Sequence, residues 1–156
     1  MAGGTASGKT TAVEGMAEEG IDRPEIVYDT TFNSFPSAVE RFDAALERGR
    51  DVEVFHVLAD PIAAYGRALD RAMDIGRIVP VDYHLMTHRE SPRTILKLVE
   101  RYAGDDRVTF QFIDNTGTTP KQGSIDALKN LDYTGVGELC WFSRKWRTGV
   151  LRKRIF

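Results

Sequence analysis

The chain has 156 residues, 42% of them hydrophobic and 28% charged, with a formal net charge of −2. That size and balance fit one globular domain with a real core, and the near-neutral charge gives no global reason to expect nucleic acid or a membrane as partner. No apolar run approaches the roughly 18 residues of a membrane span, no basic-then-apolar stretch is visible at the start, and the one cysteine, Cys140, leaves no internal disulfide, so a reducing, cytoplasmic setting is expected.

In chain order the first feature is a phosphate loop. "GGTASGKT" (residues 3–10) matches G-x-x-x-x-G-K-[ST] in full. The glycines let backbone N–H groups turn around an anion, and the helix that follows aims its positive end at the same point. Gly3, Gly4, Thr5, Ala6, Ser7, Gly8, Lys9, Thr10 and Thr11 are therefore the candidate nucleotide-binding residues. Lys9 would meet the β- and γ-phosphates, and the Thr10 hydroxyl would meet Mg²⁺. Only Met1 and Ala2 precede the loop. The strand that normally feeds such a loop is expected to be truncated, and the loop weakly supported as a result.

A helix is expected over residues 10–19. "EIVYDTTF" (25–32) reads as a short strand, rich in β-branched and aromatic residues. Asp29 ends its apolar run beside the loop, where a carboxylate can hold Mg²⁺ or accept a proton from an acceptor hydroxyl. "PSAVERFDAALERGR" (36–50) carries Val39, Phe42, Ala45 and Leu46 at helical spacing, with Pro36 near its start and Gly49 near its end. "DVEVFHVL" (51–58) is a strand, with His56 as a core residue inside it. "DPIAAYGRALDRAMDIG" (60–76) has the proline start and glycine stop of a helix, and "SPRTILKLVERYAG" (91–104) repeats that design with Ser91 as its cap. "RVTFQFIDN" (107–115) is a strand and "KQGSIDALKN" (121–130) a short helix. His84 and His88 are four apart and would share one helix face, as a metal pair or as a cap or lid contact. Asp114 is the rival acid to Asp29, placed to border the nucleotide base, and Asn115 opens a polar loop where a base can rest.

Each strand is followed by a helix. This order predicts parallel strands joined by crossover helices, a three-layer α/β phosphate-loop fold with a reduced, mostly parallel sheet. Residues 1–130 form the nucleotide-binding unit. Residues 131–156 form a basic aromatic extension in which "CWFSRKWRTGVLRKRIF" interleaves Lys and Arg with Trp and Phe. Such a tail can grip a nucleic-acid backbone, or it can simply cover the sheet.

Four stretches together resemble the zeta-toxin family of phosphate-loop kinases: "GGTASGKTT"; the run from "EIVYDTTF" to "FHVLADP"; "YGRALDRAMDIGRIVPVDYH", with its Arg77-x-x-Pro80-x-x-x-His84 segment; and "VTFQFIDNTG". They span roughly residues 3 to 117. The resemblance implies transfer of the ATP γ-phosphate, with Mg²⁺, to a hydroxyl of a UDP-N-acetylglucosamine-type sugar nucleotide. It puts Thr31 where the family has a substrate-contacting threonine, and Arg67 or Arg71, with Arg77, where the family has arginines around the triphosphate. It also implies an antitoxin, or the rest of a larger protein, as partner. The family's strand bearing a catalytic aspartate, between the loop helix and the "EIVYD" strand, has no counterpart in the short segment between Thr10 and Glu25, so the base role falls to Asp29 by position alone. Arg67 and Arg71 share one helix face and suit the charge of a transferring phosphoryl group; the plain alternative is a solvated face paired with Asp70 and Asp74. Two other functions stay open: a nucleotide-binding module without transfer, and a nucleic-acid-linked ATPase that uses the basic tail.

Overall fold

In the computed structural model, residues 1–11 and 25–131 are described. The helix expected over 10–19 begins at residue 9, and its remainder, like the tail from residue 132 with Cys140, lies outside the described residues. The elements that follow are α1 (Phe35–Leu46), β1 (Val52–Leu58), α2 (Pro61–Ile75), α3 (Val81–Arg101), β2 (Val108–Asp114), β3 (Lys121–Gln122) and α4 (Ile125–Lys129).

β1 and β2 pair in parallel from Val52↔Val108 to Leu58↔Asp114. β3 adds two residues antiparallel to the end of β2, giving a small three-stranded sheet in order β1-β2-β3. The β1–β2 connection carries two helices, α2 and α3, as a parallel pair requires a long crossover. Both strands fall within the stretches 51–58 and 107–115 expected to form them.

The N-terminal residues depart from expectation. Ala2 is fully buried and forms parallel bridges to both Thr30 and His56. Its N–H donates to the Phe55 carbonyl and its own carbonyl accepts from Val57 N–H, both at 2.8 Å. On the other side the Met1 amino group donates to Tyr28 O at 2.8 Å and Thr30 N–H to Met1 O at 3.1 Å. The residue that leads into the phosphate loop is thus bridged on both sides, to Thr30 and to His56 of β1. "EIVYD" does not become a strand. Among the described residues its backbone bond is the one from the Met1 amino group to Tyr28 O, which makes no ladder, and Ile26, Val27 and Tyr28 remain exposed.

The core lies where α1, β1, α3, β2 and α4 meet. Phe42 and Ala38 of α1, Val54 of β1, Ile95 and Leu98 of α3, Val108 of β2 and Leu128 of α4 are all buried together. The Phe42 ring stacks on Tyr102 at 5.0 Å and on Phe110 at 6.2 Å, and Tyr102 anchors its hydroxyl on Asp43 at 2.6 Å. α2 follows its sequence signals closely. Asp60 accepts from Ala63 N–H at 2.7 Å as N-cap, and Gly76 closes the helix in the left-handed conformation at φ 70°.

The largest correction concerns α3. Ser91 and Pro92 do not start a helix. They lie inside one that begins at Val81 and runs for 21 residues. A serine followed by proline reads as a helix start, but the Ser91 side chain is fully buried and its Oγ lies 3.2 Å from His56 Nε2. Pro92 removes one backbone donor from the ladder; the helix continues because its buried face continues on both sides of the proline.

Candidate phosphate site

Residues 3–8 form a tight loop between the bridged Ala2 and the helix that begins at residue 9. Every carbonyl from Gly3 to Ser7 accepts a hydrogen bond. Lys9 Nζ donates to Gly3 O at 3.2 Å and to Gly4 O at 3.1 Å. His88 Nε2 donates to Thr5 O at 2.9 Å, Arg67 Nε to Ala6 O at 3.1 Å, and Asn115 Nδ2 to Ser7 O at 2.8 Å. A loop whose carbonyls are engaged in this way can offer an anion the amides other than those of Thr5, taken by Thr87, and Ser7, taken by Gly4 O. The expectation of a weakly supported loop is therefore overturned. Residues distant in sequence, from α2, from α3 and from the segment after β2, brace it.

α3 supplies the densest part of this brace. Thr87 Oγ1 accepts from Thr5 N–H at 3.2 Å and donates its own proton to His84 O at 2.8 Å. His84 Nε2 lies 2.8 Å from Pro61 O, a group that can only accept, so Nε2 carries the proton. Nδ1 then accepts from the Thr5 hydroxyl at 2.6 Å. Burial holds all three histidines neutral: His84 is pushed below its ordinary value, His88 to about 4 and His56 to about 3. The His84 and His88 rings lie 4.4 Å apart. Both nitrogens of His84 and Nε2 of His88 are committed to backbone or to Thr5, and among the described residues no group of three metal-ligating side chains occurs. The zinc reading of this pair, and the cap or lid reading, give way to bracing of the loop.

Two glycines follow from this packing. A Cβ on Gly4 would lie 2.5 Å from the His88 ring. Gly8 stands at φ 96°, and a Cβ there would meet Asn115 Nδ2 at 2.5 Å. Ala6 takes φ 55° without being glycine, a conformation that persists only when its surroundings dictate it.

The charged residues divide into two sets. Lys9 ion-pairs with Asp29 at 3.7 Å; burial lowers its pKa, Asp29 opposes that shift, and the Arg71 charge adds to it. Lys9 and Arg67 thus bond the loop itself, Asp29 pairs with Lys9, and the Arg71 charge is felt at Lys9. Arg67 reaches the loop rather than Asp70. Thr10 and Thr11 are exposed on the first helical turn. Arg77 is exposed on the connector between α2 and α3, and Thr31 is half-buried one residue beyond the Thr30 bridge; neither is hydrogen-bonded to the loop. Asp114 turns away from it. Its carboxylate accepts from the Thr116 backbone and hydroxyl at 3.0 and 2.6 Å and pairs with Lys121 at 3.3 Å, and the hydrogen bonds from Thr116 hold it below the usual carboxylate range. The neighbouring Asn115 is the residue that reaches the loop. Thr87 was not singled out from the sequence. Its only advance signal is the i, i+3, i+4 spacing with His84 and His88.

Comparison with known proteins adds one finding. No match was found to a curated protein or to a solved structure. The sequence model of the family described as zeta toxin matches residues 22–120, from just before "EIVYDTTF" through β2 and the polar loop after it. The matched stretch holds Asp29, both α2 arginines, Arg77 and the whole of α3, and leaves the phosphate loop to rest on its own motif and on its braces. Since that stretch is well over half of its length, the chain belongs to the zeta-toxin family.

Proposed function

We propose that the chain is an ATP-dependent phosphotransferase built on a three-layer phosphate-loop fold, with the acceptor a hydroxyl of a UDP-N-acetylglucosamine-type sugar nucleotide. One observation carries this reading: every carbonyl from Gly3 to Ser7 is engaged, with Lys9 and Arg67 among the donors and the Asp29 carboxylate paired to Lys9. Family membership supports the reaction class and an antitoxin as protein partner.

The residues take distinct parts. Lys9 exchanges the Gly3 and Gly4 carbonyls for phosphate oxygens. Thr10 and Asp29 supply hard oxygen donors that suit Mg²⁺, which when bound draws charge from the phosphates. Arg71, with Arg67 and Arg77, offsets the charge that spreads over the equatorial oxygens of the transferring group. The acceptor oxygen bonds to the γ-phosphorus as the bond to the β-phosphate oxygen breaks and ADP departs. Where it does not hold the ion, Asp29 receives the acceptor proton once Lys9 has turned to the phosphates. Thr31 contacts the acceptor and Asn115 borders the nucleotide.

The test is transfer from γ-labelled ATP with Mg²⁺ to the sugar nucleotide. Lys9→Ala is expected to lower turnover by about a hundredfold or more, the scale of removing one preorganised transition-state donor. Unchanged turnover in that variant overturns the mechanism. Tight ATP binding with no acceptor phosphorylated assigns the chain to nucleotide binding without transfer.

A further inference from the structure

We propose that His84 and His88 are positioning residues of the phosphate loop: they hold Thr5 from two sides so that the loop keeps its anion-binding shape before nucleotide arrives. The inference rests on the nucleotide-binding reading above and adds how that site is shaped.

All three polar groups of Thr5 are bound by one face of α3. The amide goes to Thr87, the hydroxyl to His84 and the carbonyl to His88. The next residue, Ala6, stands at φ 55°, and such a backbone must be held from outside. His84 also grips Pro61 O, so one ring ties the loop, the start of α2 and α3 together. The His88 ring fills the space a side chain on Gly4 would need. The apolar seating of the same helix in the main core lies further along, at Ile95 and Leu98. Buried polar side chains carry a desolvation cost that apolar ones of equal size avoid. Four of them in a row, His84, Thr87, His88 and Ser91, point to a requirement for direction rather than for packing.

Amide hydrogen exchange of residues 3–9 in the nucleotide-free chain tests this directly, alongside ATP affinity with Mg²⁺ by calorimetry. His88→Leu is expected to speed loop exchange and weaken ATP binding, each by up to about tenfold, the scale of one hydrogen bond. His88→Gln carries an amide donor near the Nε2 position and is expected to restore both to within about threefold. Equal losses in the two variants, or wild-type exchange in His88→Leu, overturn the proposal. If His88→Leu does not fold, Thr5→Val removes the hydroxyl held by His84 with little change of shape, and unchanged exchange at Ala6 and Ser7 in that variant overturns the proposal equally. A wild-type chain that binds no ATP refutes the nucleotide reading alone; the exchange comparison still decides the role of the histidines.

Discussion

The two halves of α3 differ in what they bury. Beyond Pro92 the inward face is Thr94, Ile95 and Leu98, and the aliphatic pair belongs to the main core. Before it the inward face is His84, Thr87, His88 and Ser91, and these make directed hydrogen bonds to Thr5 and His56, with Leu85 packed to one side against α2. One helix therefore holds the fold at one end and shapes the phosphate site at the other. Apolar contacts are non-directional and scale with buried area, so they suit the first task. Hydrogen bonds fix angle and distance, so they suit the second.

The comparison can be broken first at its apolar end. Leu98→Ala removes a fully buried side chain from the core and is expected to cost about 3 kcal/mol or more, read from urea unfolding. A loss under about 1 kcal/mol would mean that this half does not carry the fold. At the polar end, Gly4→Ala should cost about 1–3 kcal/mol through overpacking against the His88 ring. Combined with His88→Ala, which opens that space, the penalty should be clearly less than additive; strict additivity would show that the ring is not what the methyl meets. The gentlest probe is pH. Unfolded, His56 and His88 take up protons near the ordinary 6.5; folded, they do so only near about 3 and about 4. Below pH 6.5 the unfolded chain binds more protons, so stability falls as pH drops, by up to about 1.4 kcal/mol per pH unit for each histidine. Urea midpoints at pH 7.5, 6 and 5 measure the slope, and His88→Gln should remove one histidine's share. A flat profile would place these rings in water.

What was legible in the sequence follows the same division. β1, β2 and α2 announce themselves, because apolar spacing, Pro61 and Gly76 are local signals that the fold obeys. The phosphate loop is legible from four fixed positions in eight residues, Gly3, Gly8, Lys9 and Thr10. The amino half of α3 is not, since a buried face made of histidine, threonine and serine carries no apolar period, and Ser91 looks like a cap until His56 is found beside it. "EIVYD" has strand propensity, but among the described residues its backbone bond is the one from Met1 to Tyr28 O. The braces on the loop come from Arg67, Thr87, His88 and Asn115, the last separated from Ser7 by 108 positions; no local pattern reports a contact across that distance.

The length of α3 has a mechanical consequence. At 1.5 Å per residue the stretch from Ile95 back to His84 is about 16 Å of rigid rod. A tilt of about five degrees at the seated end swings the other end by about 1.4 Å, a displacement on the scale that misaligned reacting groups feel as a large loss of rate. The helix behaves as a lever whose fulcrum is Ile95 and Leu98. Aliphatic contacts that touch no phosphate set the tolerance within which the phosphate loop is held, and a core variant that leaves the chain folded can still put the loop out of true.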